Sequence, residues 1–249
     1  MIKILKLGHD GMSYIQKKYT FPHAIEIEEY HTARYGAPGE KRKPKRKATP
    51  EQIEKQNQRI KEKKCRRKLR AYFDVNDYFA TLTYAKDARP PDMKRAKSDF
   101  AKFIRKLRSE YKKRGYVLRW IRNIEVGTKG AWHIHFIVNR IPDADLLIRK
   151  AWRHGKVTHQ LLYEKGEFRE LAAYVTKTPK TDPRLRESDY SSSRNMPLPE
   201  PKPKRIKWKT WRSIRIPNGF YLDKPSLQEG INPVTGYPYR SYTLLRKRE

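Results

Sequence analysis

One stretch of the chain, residues 77–177, contains most of its regular hydrophobic periodicity, and the order of its predicted elements restricts the fold. Segments rich in β-branched and aromatic residues predict strands, and apolar residues three and four positions apart predict amphipathic helices. The predicted elements are a strand at 78–84, a helix at 92–114, strands at 118–126 and 132–139, a helix at 143–152, a strand at 156–163 and a helix at 167–177. The order is β-α-β-β-α-β, followed by a helix.

This order predicts an α+β fold with the ferredoxin-like, or RRM-like, split βαβ arrangement, in which helices cover one face of a central antiparallel sheet. The other face is then expected to be free for a ligand. The remaining sequence is polar and basic, and its hydrophobic fraction of 37% for the whole chain is low for a globular protein. We therefore expect three regions: a basic N-terminal extension with a helix (1–72), a domain containing the sheet (73–180), and a C-terminal extension with Pro, Lys and Trp (181–249).

The charge of the chain indicates a polyanionic partner. Lys and Arg number 59 against 27 Asp and Glu, which gives a formal net charge of +32 and excludes an acidic or neutral enzyme. Nucleic acid is the common polyanion that rewards clustered Lys and Arg by releasing its counterions. Charge alone does not distinguish a nucleic-acid enzyme from a basic architectural or ribosomal protein.

Three basic segments are expected to contact DNA. Residues 41–47 (KRKPKRK) are too charged to fold alone and predict an exposed arm. Thr49 and Gln52 form a capping box that predicts the start of a helix over 50–71 with a basic face. Residues 197–211 (PLPEPKPKRIKWKTW) interleave Lys with Trp, which suits a segment lying along a nucleic acid. The expected contacts are Lys43 and Arg46, Arg66 and Arg67, and Lys204, Arg205 and Trp208. A solvated charged helix and a tail packed by its aromatic residues are the alternatives.

The sequence has few signals for a membrane or an oxidising compartment. No apolar stretch approaches the roughly 20 residues that a transmembrane helix needs. Residues 1–7 lack the apolar region of a secretory signal. Since Cys65 is the single cysteine, no intramolecular disulfide can form, and a reducing cytoplasm is expected.

Two histidines and a glutamate could form a metal site. His133 and His135 lie two apart in the predicted strand 132–139, so both imidazoles point to one side of the sheet. Across the hairpin, Glu125 is expected nearly opposite His133. Two imidazoles and a carboxylate suit a divalent ion, manganese at least as well as magnesium. A pair of surface histidines beside a solvated glutamate is the alternative.

A tyrosine and a lysine on the last predicted helix could supply a nucleophile. Tyr174 and Lys177 are three apart, so a helix would present them on one face. A phenol is a weak nucleophile at neutral pH, but a nearby cation favours the phenolate and a metal can polarise a phosphodiester. A helical tyrosine that only packs through its ring is the alternative.

These motifs together resemble the HUH endonucleases, in particular the single-tyrosine replication (Rep) initiators of rolling-circle plasmids, phages and related bacterial mobile elements. The resemblance rests on FATLTY ending at Tyr84, on WHIHFIV at 132–138 with IEVG before it, and on YVTK at 174–177. It implies the fold predicted above, with cytoplasmic action on single-stranded origin DNA. It also implies that Glu125, His133 and His135 hold Mn²⁺ or Mg²⁺, that Tyr174 attacks the DNA to leave a 5′-phosphotyrosine, and that Lys177 assists.

Departures from related patterns leave other readings open. Some relatives use two tyrosines, but no second tyrosine lies three or four positions from Tyr174. The sequence has no GxxxxGK[ST] motif, so a separate helicase is expected to unwind the duplex. A tyrosine transposase remains an alternative, as does a relaxase using Tyr14 or Tyr19 near the N-terminus. A non-catalytic nucleic-acid-binding module is the alternative from another class.

Overall fold

The computed structural model describes residues 13–31, 48–163, 166–208, 211–232 and 237–247. Within them the chain forms four α-helices: α1 (Pro50–Tyr72), α2 (Met93–Lys113), α3 (Ala144–Ala151) and α4 (Arg169–Thr176). The strands in the same residues are β1 (Tyr14–Thr20), β2 (Ala24–Tyr30), β3 (Tyr78–Thr83), β4 (Trp120–Gly127), β5 (Trp132–Val138), β6 (Val157–Leu161), β7 (Leu185–Ser192), β8 (Lys204–Ile206), β9 (Phe220–Ile231) and β10 (Pro238–Arg246). No helix in these ranges is long and apolar enough to cross a membrane.

The chain divides into two compact units. The middle unit is Asn57–Leu198, and the terminal unit combines Met1–Gln56 with Pro199–Glu249. Among the described residues, each unit contains one antiparallel five-stranded sheet. The α+β class predicted from the sequence is confirmed, and the architecture is compatible with an HUH-like fold.

The sheet of the middle unit has the strand order β6-β3-β5-β4-β7. The predicted hairpin is confirmed as β4 and β5, which are joined by a tight turn in which the Gly130 N–H donates to the Gly127 carbonyl (2.8 Å). Gly130 has a φ of 70°, a conformation that glycine adopts without steric cost. The turn fixes the register of the two strands, and therefore which of their side chains share a face.

One face of this sheet, which we call the apolar face, packs against α2 and α3. The helix predicted at 92–114 is confirmed as α2, and the Asp92 side chain begins it by accepting a hydrogen bond from the Arg95 backbone N–H (2.7 Å). Its apolar residues are buried in the same cluster as Ile134 and Phe136 of β5. These helix residues are Met93, Ala96, Phe100, Phe103, Ile104 and Leu107.

The opposite face, which we call the polar face, is partly covered, and this differs from the free face predicted. Helices α1 and α4 lie over Ile121 of β4 and Ile137 of β5. The covering residues include Cys65 and Leu69 of α1 and Ala172 and Val175 of α4. The capping box predicted at Thr49 and Gln52 is present, with reciprocal hydrogen bonds of 3.1 and 3.3 Å. The helix is therefore anchored to the sheet by the small apolar set near its C-terminal end.

Two elements outside the region 73–180 belong to the middle unit. The strand β7 forms an edge of its sheet, paired with β4, and the C-terminal half of α1 packs on its polar face. The sequence of β7, LRESDYSS, has no hydrophobic alternation, because most of its side chains are exposed or half-buried at the sheet edge. Its place in the sheet follows from pairing with β4 and not from its own composition.

The sheet of the terminal unit joins the two ends of the chain, and the sequence does not predict it. Its strand order is β8-β1-β2-β10-β9, so that β2 pairs with β1 on one side and β10 on the other. Glu29 of β2 lies opposite Arg240 of β10, and their buried side chains form an ion pair at 2.6 Å. The strands β1 and β2 are rich in Lys and Glu, which hides their strand periodicity.

Candidate active site

The polar face brings together Glu125, His133 and His135. Glu125 lies directly opposite His133 in the β4–β5 pair, as the hairpin predicts, and His135 follows on the same face of β5. The His135 Nε2 atom is 3.3 Å from Glu125 Oε2. Glu125 and His135 are buried, whereas His133 is half-buried. The strand register therefore gathers the three side chains that the sequence singles out.

The neighbouring strand β3 fixes the orientation of the His135 ring. Thr81 Oγ1 is 3.4 Å from His135 Nδ1. The Phe79 ring stacks on the imidazole with centroids 5.7 Å apart and planes 12° apart. Because Thr81 occupies the Nδ1 side, Nε2 is the atom presented to Glu125 and to α4.

Helix α4 brings Tyr174 to this imidazole. The Tyr174 hydroxyl is 3.1 Å from His135 Nε2, and the side chain is 41% exposed, so that a ligand can reach it. Helix α4 ends at Thr176, one residue earlier than predicted, and Lys177 continues in an extended conformation. The Lys177 Nζ still lies 4.3 Å from the centre of the Tyr174 ring and 3.1 Å from Glu125 Oε2. The two side chains are therefore presented together, although only one is helical.

Side chains from three elements hold the backbone at the end of α4. The Thr176 carbonyl accepts a hydrogen bond from Lys61 Nζ of α1 (3.0 Å). The Lys177 carbonyl accepts hydrogen bonds from Ser188 Oγ of β7 (3.2 Å) and from Asn123 Nδ2 of β4 (3.4 Å). This anchoring fixes the position from which the Lys177 side chain extends.

Two residues that the sequence does not single out complete the site. Asp182 Oδ2 lies 3.6 Å from Lys177 Nζ. Arg184 donates to both Asp182 oxygens, from Nε at 2.9 Å and from Nη2 at 2.8 Å. Both residues follow α4 in a turn-rich segment, where Pro179 and Pro183 are the available sequence signals. Those prolines predict turns, but not which side chains the turns bring to the site.

Burial and neighbouring charges set the protonation of the site. Burial raises the pKa of Tyr174, while the Lys177 ammonium acts in the opposite direction. Burial lowers the pKa of His133, and the adjacent His135 lowers it further. The phenol is therefore protonated at neutral pH unless another cation approaches, and His133 is neutral, as a metal ligand must be.

The donor types fit a divalent metal ion, but their present arrangement does not enclose one. Two imidazoles and a carboxylate are suitable ligands. Among the residues that the structure describes, no group of three or more His, Cys, Asp or Glu side chains is arranged to hold a metal ion. The Lys177 ammonium lies against Glu125 instead, so metal binding would require Lys177 to move away. A metal site of Glu125, His133 and His135 stays a prediction.

The predicted DNA contacts fall in different parts of the chain. Lys43 and Arg46 lie outside the described residues. Arg66 and Arg67 are half-buried on α1, and Lys204 and Arg205 are exposed on β8 of the terminal unit. Trp208 follows β8, is 52% exposed, and has the Arg212 guanidinium 4.5 Å from its ring centre. Their contacts with DNA stay predictions.

The tyrosines that favour a relaxase are placed unfavourably for catalysis. Tyr14 and Tyr19 lie in β1 of the terminal unit, and both are buried, at 1% and 8% exposure. Tyr174, in contrast, is accessible and contacts His135 and Lys177. The described structure thus favours Tyr174 over the N-terminal pair.

Residues 77–179 match the family model of replication-associated protein ORF2. The matched segment covers less than half of the chain and includes the five site residues singled out by the sequence, whereas Asp182 and Arg184 lie beyond it. The match is consistent with a Rep-type replication initiator and supports a role in replication initiation. Searches among curated proteins and among solved structures find no match.

Proposed function

We propose that the protein is a metal-dependent, site-specific endonuclease that nicks and rejoins single-stranded origin DNA and so initiates rolling-circle replication. The family match supports the role in replication, and the geometry of the polar face supports the chemistry. Because the sequence has no P-loop motif, a separate helicase of the host or element would unwind the duplex.

The contact between Tyr174 and His135 is the observation that supports this proposal most strongly. The hydroxyl is 3.1 Å from His135 Nε2, and the Lys177 ammonium is 4.3 Å from the phenol ring. A tyrosine that only packs would not need an accessible hydroxyl beside an imidazole and a cation. This set of groups orients the phenol and favours its ionised form.

In the proposed reaction, the Tyr174 oxygen forms a bond to a DNA phosphorus, and the bond from that phosphorus to the 3′ oxygen breaks. The phenol loses one proton and the departing 3′ oxygen gains one, so protons and charge balance. The products are a 5′-phosphotyrosine and a free 3′ hydroxyl, which can prime DNA synthesis. Attack by a 3′ hydroxyl reverses the reaction and rejoins the strand at the same site.

Glu125, His133 and His135 would hold the Mn²⁺ or Mg²⁺ ion, which when bound supplies Lewis-acid polarisation of the phosphate. Lys177 then needs another anionic partner, and Asp182, at 3.6 Å, is already beside it. The ammonium can therefore stay near the Tyr174 ring after it leaves Glu125.

A covalent adduct assay tests the proposal. The wild-type protein, incubated with Mn²⁺ and a pool of single-stranded oligonucleotides, should form an adduct that resists denaturation, and a chelator should prevent it. Tyr174→Phe should form none, because the nucleophilic oxygen is missing. Tyr163→Phe is the matched control, since Tyr163 is 75% exposed, and it should behave as wild type. An adduct that persists in Tyr174→Phe would contradict the assignment of the nucleophile.

A further inference from the structure

Arg184 lies beside the candidate active site, but beyond the residues that match the family model. It is connected to the site through Asp182, whose Oδ2 is 2.8 Å from Arg184 Nη2 and 3.6 Å from Lys177 Nζ. Lys177 in turn lies over the Tyr174 ring at 4.3 Å. Two ionic contacts therefore separate the Arg184 guanidinium from the side chain that packs on the phenol.

Asp182 orients the guanidinium and leaves donors free to bind a ligand. Its two oxygens accept from Nε at 2.9 Å and from Nη2 at 2.8 Å, which uses one edge of the planar fork. The Arg184 side chain is nevertheless 82% exposed. The N–H groups of Nη1 therefore face solvent in a fixed orientation, which suits an oxygen of a phosphate.

A bulge in β7 helps to aim Arg184. Val126 of β4 pairs with Glu187, but the next residue, Gly127, pairs with Leu185, so the register skips Arg186. The Arg184 carbonyl, just before this irregularity, accepts a hydrogen bond from the Thr128 N–H (3.1 Å). Bulges commonly redirect side chains next to active sites.

The charges around Tyr174 are balanced, so orientation is what Arg184 adds. The carboxylates of Asp182 and Glu125 offset the cations of Lys177 and Arg184. Arg184 is close enough for its charge to act on both Tyr174 and Glu125. A DNA strand would bring its own negative charge, for which a pre-oriented guanidinium is a suitable partner.

We propose that Arg184 binds the phosphate next to the one that Tyr174 attacks, and that Asp182 is a positioning residue that holds Arg184 for this contact. The proposal deepens the function proposed above and rests on it. It assigns a substrate-binding residue outside the segment that resembles known proteins.

Kinetics of adduct formation provide the first test. Arg184→Ala should raise KM for the oligonucleotide about ten- to hundredfold, since a charge-assisted contact is lost, and should change kcat little. Arg184→Lys keeps the charge without the fork and should restore only part of the loss. Arg186→Ala removes the same charge from an exposed position two residues away and should leave KM within about twofold of wild type. Equal effects of Arg184→Ala and Arg186→Ala would overturn the proposal.

Asp182 is tested by combining substitutions. Asp182→Ala should raise KM, and adding Arg184→Ala to it should raise KM little further, because the two residues act as one unit. A purely structural role of Asp182 would instead lower the melting temperature and leave the effects of the two substitutions on KM additive. Additive effects would therefore contradict the positioning role.

A binding measurement separates this proposal from the proposed function. In the Tyr174→Phe background, fluorescence anisotropy measures affinity for the oligonucleotide without reaction. Replacing single phosphates by neutral methylphosphonates should show one position, adjacent to the cleavage site, where the effects of the modification and of Arg184→Ala are not additive. Additivity at every position would overturn the Arg184 contact. Absence of any adduct in the wild type, with this non-additivity present, would instead contradict the nicking function.

Discussion

The two faces of the middle sheet share the same strands but differ in what surrounds their side chains. On the apolar face, Ile134 and Phe136 are covered by α2, whose apolar residues recur three and four positions apart. On the polar face, His135 contacts groups from β3, β4 and α4. Since successive residues of β5 point to opposite faces, a single strand provides both the core and the candidate site. Stability and chemistry should therefore be separable by substitutions one residue apart.

The largest effect is expected on the polar face. The double substitution His133→Ala, His135→Ala removes both imidazoles and should slow Mn²⁺-dependent adduct formation at least about a hundredfold. It should also weaken Mn²⁺ binding, measured by titration calorimetry, while circular dichroism shows a folded protein. Unchanged activity on DNA would contradict the metal site and would make a non-catalytic nucleic-acid-binding module the better account.

The adjacent residue on the apolar face should show the opposite behaviour. Phe136 is fully buried and contacts the rings of Phe100 and Phe103, so Phe136→Ala should lower the free energy of unfolding by about 3–5 kcal/mol. Urea denaturation followed by circular dichroism measures this change. The molecules that remain folded should form the adduct at nearly the wild-type rate. A loss of stability under about 1 kcal/mol would show that α2 does not enclose this ring.

The smallest effect concerns the part of the polar face that α1 covers. Burial raises the pKa of the Cys65 thiol to about 12, from an ordinary value of 9.0. At pH 8 to 9 the folded thiol therefore stays protonated and shielded, whereas the unfolded thiol ionises and reacts. A colorimetric thiol reagent should label Cys65 only after denaturation. Rapid labelling of the native protein would mean that α1 leaves the sheet, and that the polar face is less closed than the apolar one.

Local patterns explain the parts of this fold that the sequence predicts. The hairpin register that places Glu125 opposite His133 follows from a short turn between two segments with strand composition. Helix α2 follows from its apolar spacing, and its first residue from the capping side chain of Asp92. The contact of Tyr174 and Lys177 is predictable for the same reason, since they lie three residues apart.

The unpredicted parts depend on contacts between distant or irregular segments. The sheet of the terminal unit pairs residues 24–30 with 238–246, and no local pattern encodes such a pairing. Charged strands such as β1 and β7 lack the apolar alternation that identifies a strand. Asp182 and Arg184 reach the site through turns, whose geometry composition does not specify. The missed residues are therefore those placed by tertiary structure.

The central claim is that Tyr174 forms the covalent bond with DNA, and mass spectrometry of the adduct tests it most directly. After nuclease and protease digestion, the peptide that retains a nucleotide should contain Tyr174 modified through a 5′-phosphate. A modified peptide containing Tyr14 or Tyr19 would contradict this account and favour a relaxase. A nucleotide on any other residue would equally show that the polar face of the middle sheet is not where the strand is cut.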